Sequence, residues 1–147
     1  MTTLLRQQPT ITLRLAMQAL GAAVEFAEQA GLRVSLAILD ASGQMIHSAH
    51  MDGAPRPSQA IALNKALAAA GFGVSTSAWE ERLQKASAAV REGLPLQPNL
   101  ALFGGGEPFL HDGQVIGAIG VSGASEAMDA ECARAAVARV DALLGAP

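Results

Sequence analysis

The stretch from Leu102 to Gly123, LFGGGEPFLHDGQVIGAIGVSG, decides the fold. Its pattern predicts two strands joined by a His-Asp-Gly turn at residues 111–113. Three consecutive glycines, residues 104–106, open the first strand, and glycine recurs at every third position from Gly117 to Gly123. Glycine inside a strand lowers its stability, so such a pattern marks a bulge or a close approach by a ligand or another backbone. Tight packing and a bound small molecule are the two interpretations that this pattern leaves open.

The composition limits the class of protein. With 147 residues, half of them hydrophobic and only 3% aromatic, the chain can bury the core of one domain built from small and aliphatic side chains. A net charge of −3 without any run of Lys or Arg excludes the electrostatic footprint of a nucleic-acid-binding protein. The single cysteine excludes an internal disulfide, and no Cys/His spacing predicts a zinc site or another metal site.

Neither the N-terminus nor any later segment has the apolar length of a signal peptide or a membrane span. The expectation is a soluble, cytoplasmic protein with no membrane partner, unless a leader was removed. Residues 1–9 are predicted to form an N-terminal leader, and residues 10–147 to form a single domain. No internal repeat or linker divides that domain.

The periodicity of apolar residues predicts elements in the order α-β-β-α-α-β-β-α. The first half comprises a helix from Thr10 or Thr12 to about Ala30, strands at 34–39 and 44–49, and a helix from Ser58 to Ala70. The second half comprises a third helix that begins at Ser77 and has a buried face extending to Val90, the two strands within 102–123, and a last helix capped by Ser125. Strands joined by short turns imply an antiparallel sheet, so the predicted fold class is α+β, a central antiparallel β-sheet flanked by helices.

The second strand carries two of the three histidines. Regular alternation along a strand places residues on two faces, here Met45, His47 and Ala49 on one and Ile46, Ser48 and His50 on the other. His47 and His50 are therefore not expected to bind one metal together.

Five blocks of the sequence resemble, in the same order, the GlcG/HbpS family, which includes the C-terminal domain of PduO-type proteins. The blocks are AILDASG at 37–43, MDGAP at 51–55, KA at 65–66 with AAGFG at 69–73, FGGGEP at 103–108 and GAIGVSG at 117–123. The resemblance implies a profilin-like fold and assembly into homodimers or higher oligomers, commonly octamers. It does not imply a single function, because some members of the family bind haem, some accompany cobalamin metabolism and some belong to glycolate-utilisation operons.

The glycine run is not a P-loop, because no Gly-Lys-Ser/Thr follows it, and it is not a dinucleotide fingerprint, because its spacing is not GxGxxG. Its backbone N–H groups are expected to be able to receive a carboxylate or another anion, with Glu107 at the mouth of the pocket. Lys65 is expected either to be solvated on its helix or to face this pocket, where it would hold a carboxylate or act as a base. Asp52, in a loop with Arg56, would either bind a ligand or close an Asx turn. The predicted ligand-binding residues are Asp52, Arg56, Lys65, Gly104, Gly105, Gly106 and Glu107.

Haem binding would require an imidazole or a soft donor beside an apolar cleft. His50, directly ahead of the Met-Asp-Gly loop, is the first choice of axial ligand. The weaker candidates are His47, His111, Met45, Met51 and Cys132. Covalent c-type haem is excluded because no Cys-x-x-Cys-His motif is present.

Three functional hypotheses follow. The first is an oligomeric small-ligand-binding protein of the GlcG/HbpS type, with haem or a related tetrapyrrole as its ligand. The second is a metal-free enzyme of isomerase, tautomerase or lyase type that acts on a small organic acid, with Lys65 and Glu107 as catalytic acid and base. The third is an oligomerisation module without a ligand of its own.

Overall fold

A computed structural model describes residues 3–145. The elements in this range are α1 (Leu13–Gln29), β1 (Ser35–Asp40), β2 (Met45–His50), α2 (Ser58–Phe72), α3 (Trp79–Gln84), α4 (Ala88–Gly93), β3 (Gly106–His111), β4 (Gln114–Ser122) and α5 (Glu126–Leu144). Short 3₁₀ turns at Thr76–Ala78 and Leu94–Leu96 flank α3 and α4. All strand pairs are antiparallel, which confirms the predicted α+β class with a central antiparallel sheet.

The sheet is the middle of three layers. Its strand order is β2-β1-β4-β3, so β1 and β4 are the central strands. Ile119 and Val121 of β4 belong to the core shared with α1 and α5. Gly120 between them faces the backbone of Ala62 in α2. Because successive residues of a strand point to opposite faces, α2 covers one face of the sheet and α1 with α5 covers the other.

Two glycines let α2 lie against the sheet without intervening side chains. Gly106 of β3 and Gly120 of β4 are partners in the antiparallel register. A Cβ atom on Gly120 would lie 1.8 Å from the carbonyl oxygen of Ala62, and one on Gly106 would lie 2.4 Å from the carbonyl oxygen of Lys65. No side chain fits at such distances, so the close approach at these two positions is that of the helix backbone.

The prediction of one continuous third helix is wrong. The chain forms α3 and α4 there and leaves the helical conformation at residues 85–87. The Ser87 hydroxyl accepts a hydrogen bond from the Val90 N–H at 3.3 Å, which caps a new helix start and competes with continuation of the old helix. Trp79 is buried as expected, but Val90, expected on the same buried face, is 45% exposed.

The regular alternation predicted for the second strand is also wrong at its start. The register between β1 and β2 slips at Ile46, which forms a β-bulge. Ile46 packs against the core that contains α1, while Met45 lies with His50 along the α2 side of the sheet. The slip precedes His47, so His47 and His50 remain on opposite faces, as predicted.

The N-terminal segment joins the domain at Ile11, whose N–H donates to the carbonyl of Ile116 at 2.8 Å. Thr12 then caps α1 by accepting a hydrogen bond from Leu15 N–H at 3.2 Å, as its place before an apolar helix predicts. Residues 1 and 2 of the predicted leader and residues 146 and 147 of the predicted domain lie outside the described residues. Across residues 3–145, no helix combines the length and the apolar character that crossing a membrane requires.

Replacing Gly120 by alanine is expected to lower the free energy of unfolding by about 1–3 kcal/mol or more, because the new methyl group would force α2 away from the sheet. Gly21→Ala is the matched control, since Gly21 lies within α1 and a Cβ there meets nothing within 4 Å. That change should leave stability within about 1 kcal/mol of the parent or raise it. Urea denaturation of the two variants measures the difference, and equal stabilities would contradict the packing role of Gly120.

Candidate functional site

The structure separates the sequence-predicted site residues into two groups. Lys65, Glu107 and the glycines at 104–106 lie in the interior, where α2 and α5 meet the start of β3 and the end of β4. His50, Asp52 and Arg56 belong to the end of β2 and the loop that follows it. Each group therefore has its own surroundings.

Lys65 is buried at 0% exposure in the middle of α2. Its Nζ donates to the carbonyl of Val121 at 2.9 Å and to Oδ2 of Asp129 at 3.1 Å. It also lies 4.8 Å from the centre of the Phe103 ring, a cation–π contact. The other oxygen of Asp129 accepts from the Ala124 N–H at 2.9 Å. Lys65 thus ties α2 to β4 and α5, and a solvated position on its helix is ruled out.

Burial lowers the pKa of Lys65, and the Asp129 carboxylate opposes this shift by attracting the ammonium charge. A buried ammonium with a carboxylate partner and a carbonyl partner is held in one position. Chemically the arrangement is a buried ion pair with its hydrogen bonds largely satisfied.

The glycine run brings its backbone against protein groups. The Gly104 N–H donates to Oε1 of Glu126 at 2.9 Å, and the Gly106 N–H donates to Oγ1 of Thr76 at 2.8 Å. Gly105 has a φ of +127°, and a Cβ there would lie 2.7 Å from Nζ of Lys65. The backbone N–H groups of the glycine run were predicted to receive an anion. At Gly104 that anion is the carboxylate of Glu126, a residue of the same chain. The sequence did not predict that Glu126 or Thr76 would contact the glycine run.

Glu107 is 8% exposed and follows the glycine run directly. Its Oε1 accepts a hydrogen bond from the Ser75 hydroxyl at 2.9 Å, and Nη1 of Arg134 lies 3.7 Å away. Burial raises the pKa of Glu107, while the Ser75 hydrogen bond and the Arg134 charge partly offset that rise. The two predicted acid/base residues, Lys65 and Glu107, are thus each paired with a different protein partner.

His50 ends the edge strand β2 with an exposed ring. Its Nδ1 is hydrogen-bonded to the hydroxyl of Ser35, the residue opposite it in β1. The Ser35 hydroxyl is 2.9 Å from that of Ser58, at the start of α2, and the Ser58 hydroxyl donates to the carbonyl of Pro55. Sequence reasoning missed Ser35, and it identified Ser58 only as the start of a helix. The signal for Ser35 is the strand register, which puts it opposite the histidine.

Two surface cavities meet at His50. The larger, of about 670 Å³, is lined by His50 and by Val24, Glu28, Gly31, Leu32, Arg33, Met51 and Asp52. The smaller, of about 350 Å³, lies between β2 and α2 and includes Met45, Ser48 and Leu63. Asp52 therefore shares a cavity with His50, whereas Arg56 lines neither of the two.

Three of the other haem-ligand candidates, Cys132, His111 and His47, are less suited to bind a metal. Cys132 is buried, its thiol donates to the carbonyl of Ala23 at 3.2 Å, and burial raises its pKa to about 12, so the thiolate is scarce at neutral pH. His111 is the last residue of β3, and its Nε2 lies 3.5 Å from Oδ2 of Asp112. His47 lies on the opposite face of β2 from His50. His50 alone among these four combines an exposed ring with a position at both cavities.

Breaking the Lys65–Asp129 pair is expected to destabilise the fold. Lys65→Met should lower the free energy of unfolding by about 3–5 kcal/mol, because it leaves Asp129 buried and charged without its partner. The double variant Lys65→Met with Asp129→Asn removes both charges and should recover at least about half of that loss. Lys85→Met, which breaks the exposed pair with Glu81, should change stability by less than about 1 kcal/mol. Denaturant unfolding at neutral pH compares the stabilities of these variants. A Lys65→Met protein as stable as Lys85→Met would refute the stabilising role of the Lys65–Asp129 pair.

Comparison with known proteins places this geometry in a family. The family described as "Haem degrading protein HbpS-like" matches residues 11–138. Klebsiella pneumoniae protein ORFY has a similar structure, with a TM-score of 0.89 and 31% identity over 97% of this chain and 98% of that one. A double mutant of Streptomyces reticuli HbpS gives a TM-score of 0.82 and 36% identity over 91% of this chain and 89% of that one.

A structure described as a PduOC:heme complex is also similar, with a TM-score of 0.81 and 31% identity over 88% of this chain and 94% of that one. Among curated proteins, the corrinoid adenosyltransferase PduO of Salmonella typhimurium is 32% identical over 120 residues, which is 82% of this chain but 36% of PduO. This chain thus spans about a third of the length of that relative. The match over most of the chain confirms the resemblance drawn from the five sequence blocks, and the protein belongs to the HbpS-like family.

Proposed function

We propose that the protein binds haem or a closely related tetrapyrrole, with Nε2 of His50 as the axial ligand of the iron. The observation that carries this proposal is an exposed imidazole whose Nδ1 is held by the Ser35 hydroxyl. Histidines that bind metals usually make such a hydrogen bond with their second nitrogen, which fixes the ring for coordination through the first. Membership of the HbpS-like family and similarity to a PduOC:heme complex support the choice of ligand.

The surroundings of His50 offer apolar contacts and one cationic side chain beside two carboxylates. Val24, Leu32 and Met51 provide apolar contacts in the larger cavity. Arg33, in the same cavity, provides a cation for a propionate group. Glu28 and Asp52 also line this cavity. Their carboxylates would repel the propionates, which would therefore lie near Arg33. When bound, the haem would supply the iron-centred redox or oxygen chemistry, and the protein residues would orient and shield it.

The proposal includes self-association. His50 is exposed in a single chain, so a second copy of the chain would cover the face of the ligand that this chain leaves open. Aromatic side chains are scarce, which disfavours a deep stacked pocket inside one subunit. Several large apolar side chains are exposed on the described surface and would be available for contacts between copies, including Leu13, Met17, Phe72 and Phe103.

Lys65 and Glu107 have no catalytic role in this proposal. Lys65 is bonded to Val121 and Asp129, and Glu107 to Ser75, so each already has a partner within the chain. Their contacts support a part in holding α2, α5 and the strand ends together. The enzyme hypothesis built on this pair gains no support from the site geometry.

Titration with haemin tests the proposal. The purified protein is expected to shift the Soret band of haemin at a defined stoichiometry, and His50→Ala should weaken binding by at least about tenfold, because even groups that only support a metal ligand cost that much when removed. His47→Ala is the matched control, since His47 lies on the same strand but on its opposite face.

Wild-type affinity and an unchanged Soret position in His50→Ala would refute His50 as the ligand. No Soret shift with the wild-type protein would refute haem binding itself.

A further inference from the structure

We propose that Ser58, acting through Ser35, sets the tautomer of His50 so that Nε2 carries the free lone pair. We call the hydrogen-bonded chain of Ser58, Ser35 and His50 the serine relay. Ser58 and Ser35 are positioning residues, because they contact the imidazole and each other rather than a ligand.

The direction of the relay follows from counting hydrogens. A carbonyl oxygen can only accept, so the bond between Ser58 and the Pro55 carbonyl uses the single hydroxyl hydrogen of Ser58. The Ser58 oxygen must then accept from Ser35 across the 2.9 Å that separates the two hydroxyls. That bond uses the only hydroxyl hydrogen of Ser35, so Ser35 has none to offer to His50 and must accept from its Nδ1–H.

A neutral imidazole carries one N–H, so a proton fixed on Nδ1 leaves Nε2 as the acceptor. This is the nitrogen that a metal ion can bind without prior exchange of a proton. Ser35 and Ser58 are 2% and 1% exposed, so bulk water has little access to replace either hydroxyl in the relay. The relay therefore favours coordination of a metal ion through Nε2 of His50.

The relay also links the site to the loop between β2 and α2. The accepting carbonyl belongs to Pro55 within that loop, and Ser58 is the first residue of α2. The tautomer of His50 consequently depends on the conformation of residues 55–58. The tautomer assignment stands without any ligand, and its consequence for iron binding rests on the proposed function.

Nitrogen-15 NMR of the ligand-free protein tests the tautomer directly. In mildly alkaline buffer, Nδ1 of His50 is expected at the shift of a protonated nitrogen and Nε2 at that of an unprotonated one, with His47 and His111 as references in the same spectrum. Ser58→Ala frees the Ser35 hydroxyl to donate, which should move His50 toward the Nε2–H form. Ser58→Thr keeps a hydroxyl and should restore the wild-type pattern, and Ser48→Ala, on the same strand, should leave it unchanged.

Haemin titration of the same variants gives the second readout. Ser58→Ala is expected to weaken haemin binding by about tenfold, as for other groups that support a metal ligand, and Ser58→Thr to keep it near the wild-type affinity. A wild-type His50 protonated at Nε2, or a Ser58→Ala protein with the wild-type tautomer, would overturn the relay. If the tautomer results hold but His50→Ala binds haemin normally, the relay stands and the proposed function fails, so the two failures are distinguishable.

Discussion

The contact between the backbone of α2 and the paired glycines of β3 and β4 is the constraint on which the rest of the structure depends. Gly106 and Gly120 bring the helix to a distance that no side chain would permit. That position carries Lys65 to the end of β4, where it reaches Val121 and Asp129. The same helix begins at Ser58, whose hydroxyl completes the hydrogen-bond chain to His50. The position of α2 thus fixes both the interior ion pair and the hydrogen-bond partners of His50.

Much of the fold could be predicted from the sequence, because strand and helix periodicities and turn residues act locally. The antiparallel sheet and the cap of α1 at Thr12 both follow from such local signals. The break between α3 and α4 was missed because the apolar spacing continues past Ser87, and the capping hydroxyl there outweighs it. The bulge at Ile46 was missed because it depends on register against β1, which alternation within one strand does not determine.

The candidate site was harder to predict, because its decisive contacts join residues far apart in sequence. Lys65 and Asp129 are 64 positions apart, and nothing local marks one as the partner of the other. A lysine among alanines gave two expectations, exposure to solvent or a place beside the glycine run holding a carboxylate. Lys65 lies beside that run, and the carboxylate is that of Asp129 in the same chain. His50 was proposed from its place before the Met-Asp-Gly loop, whereas its hydrogen-bonded partners Ser35 and Ser58 follow only from the pairing of β1 with β2 and the packing of α2.

In the proposed function, the interior polar residues stabilise the fold and the edge of β2 binds the ligand. A crystal structure of the protein grown with haemin tests this division most directly. We expect the iron to be bound to Nε2 of His50, with Nδ1 still hydrogen-bonded to Ser35 and the Lys65–Asp129 pair unchanged. Iron bound to any other residue, or a ligand seated among Lys65, the glycines at 104–106 and Glu107, would contradict it.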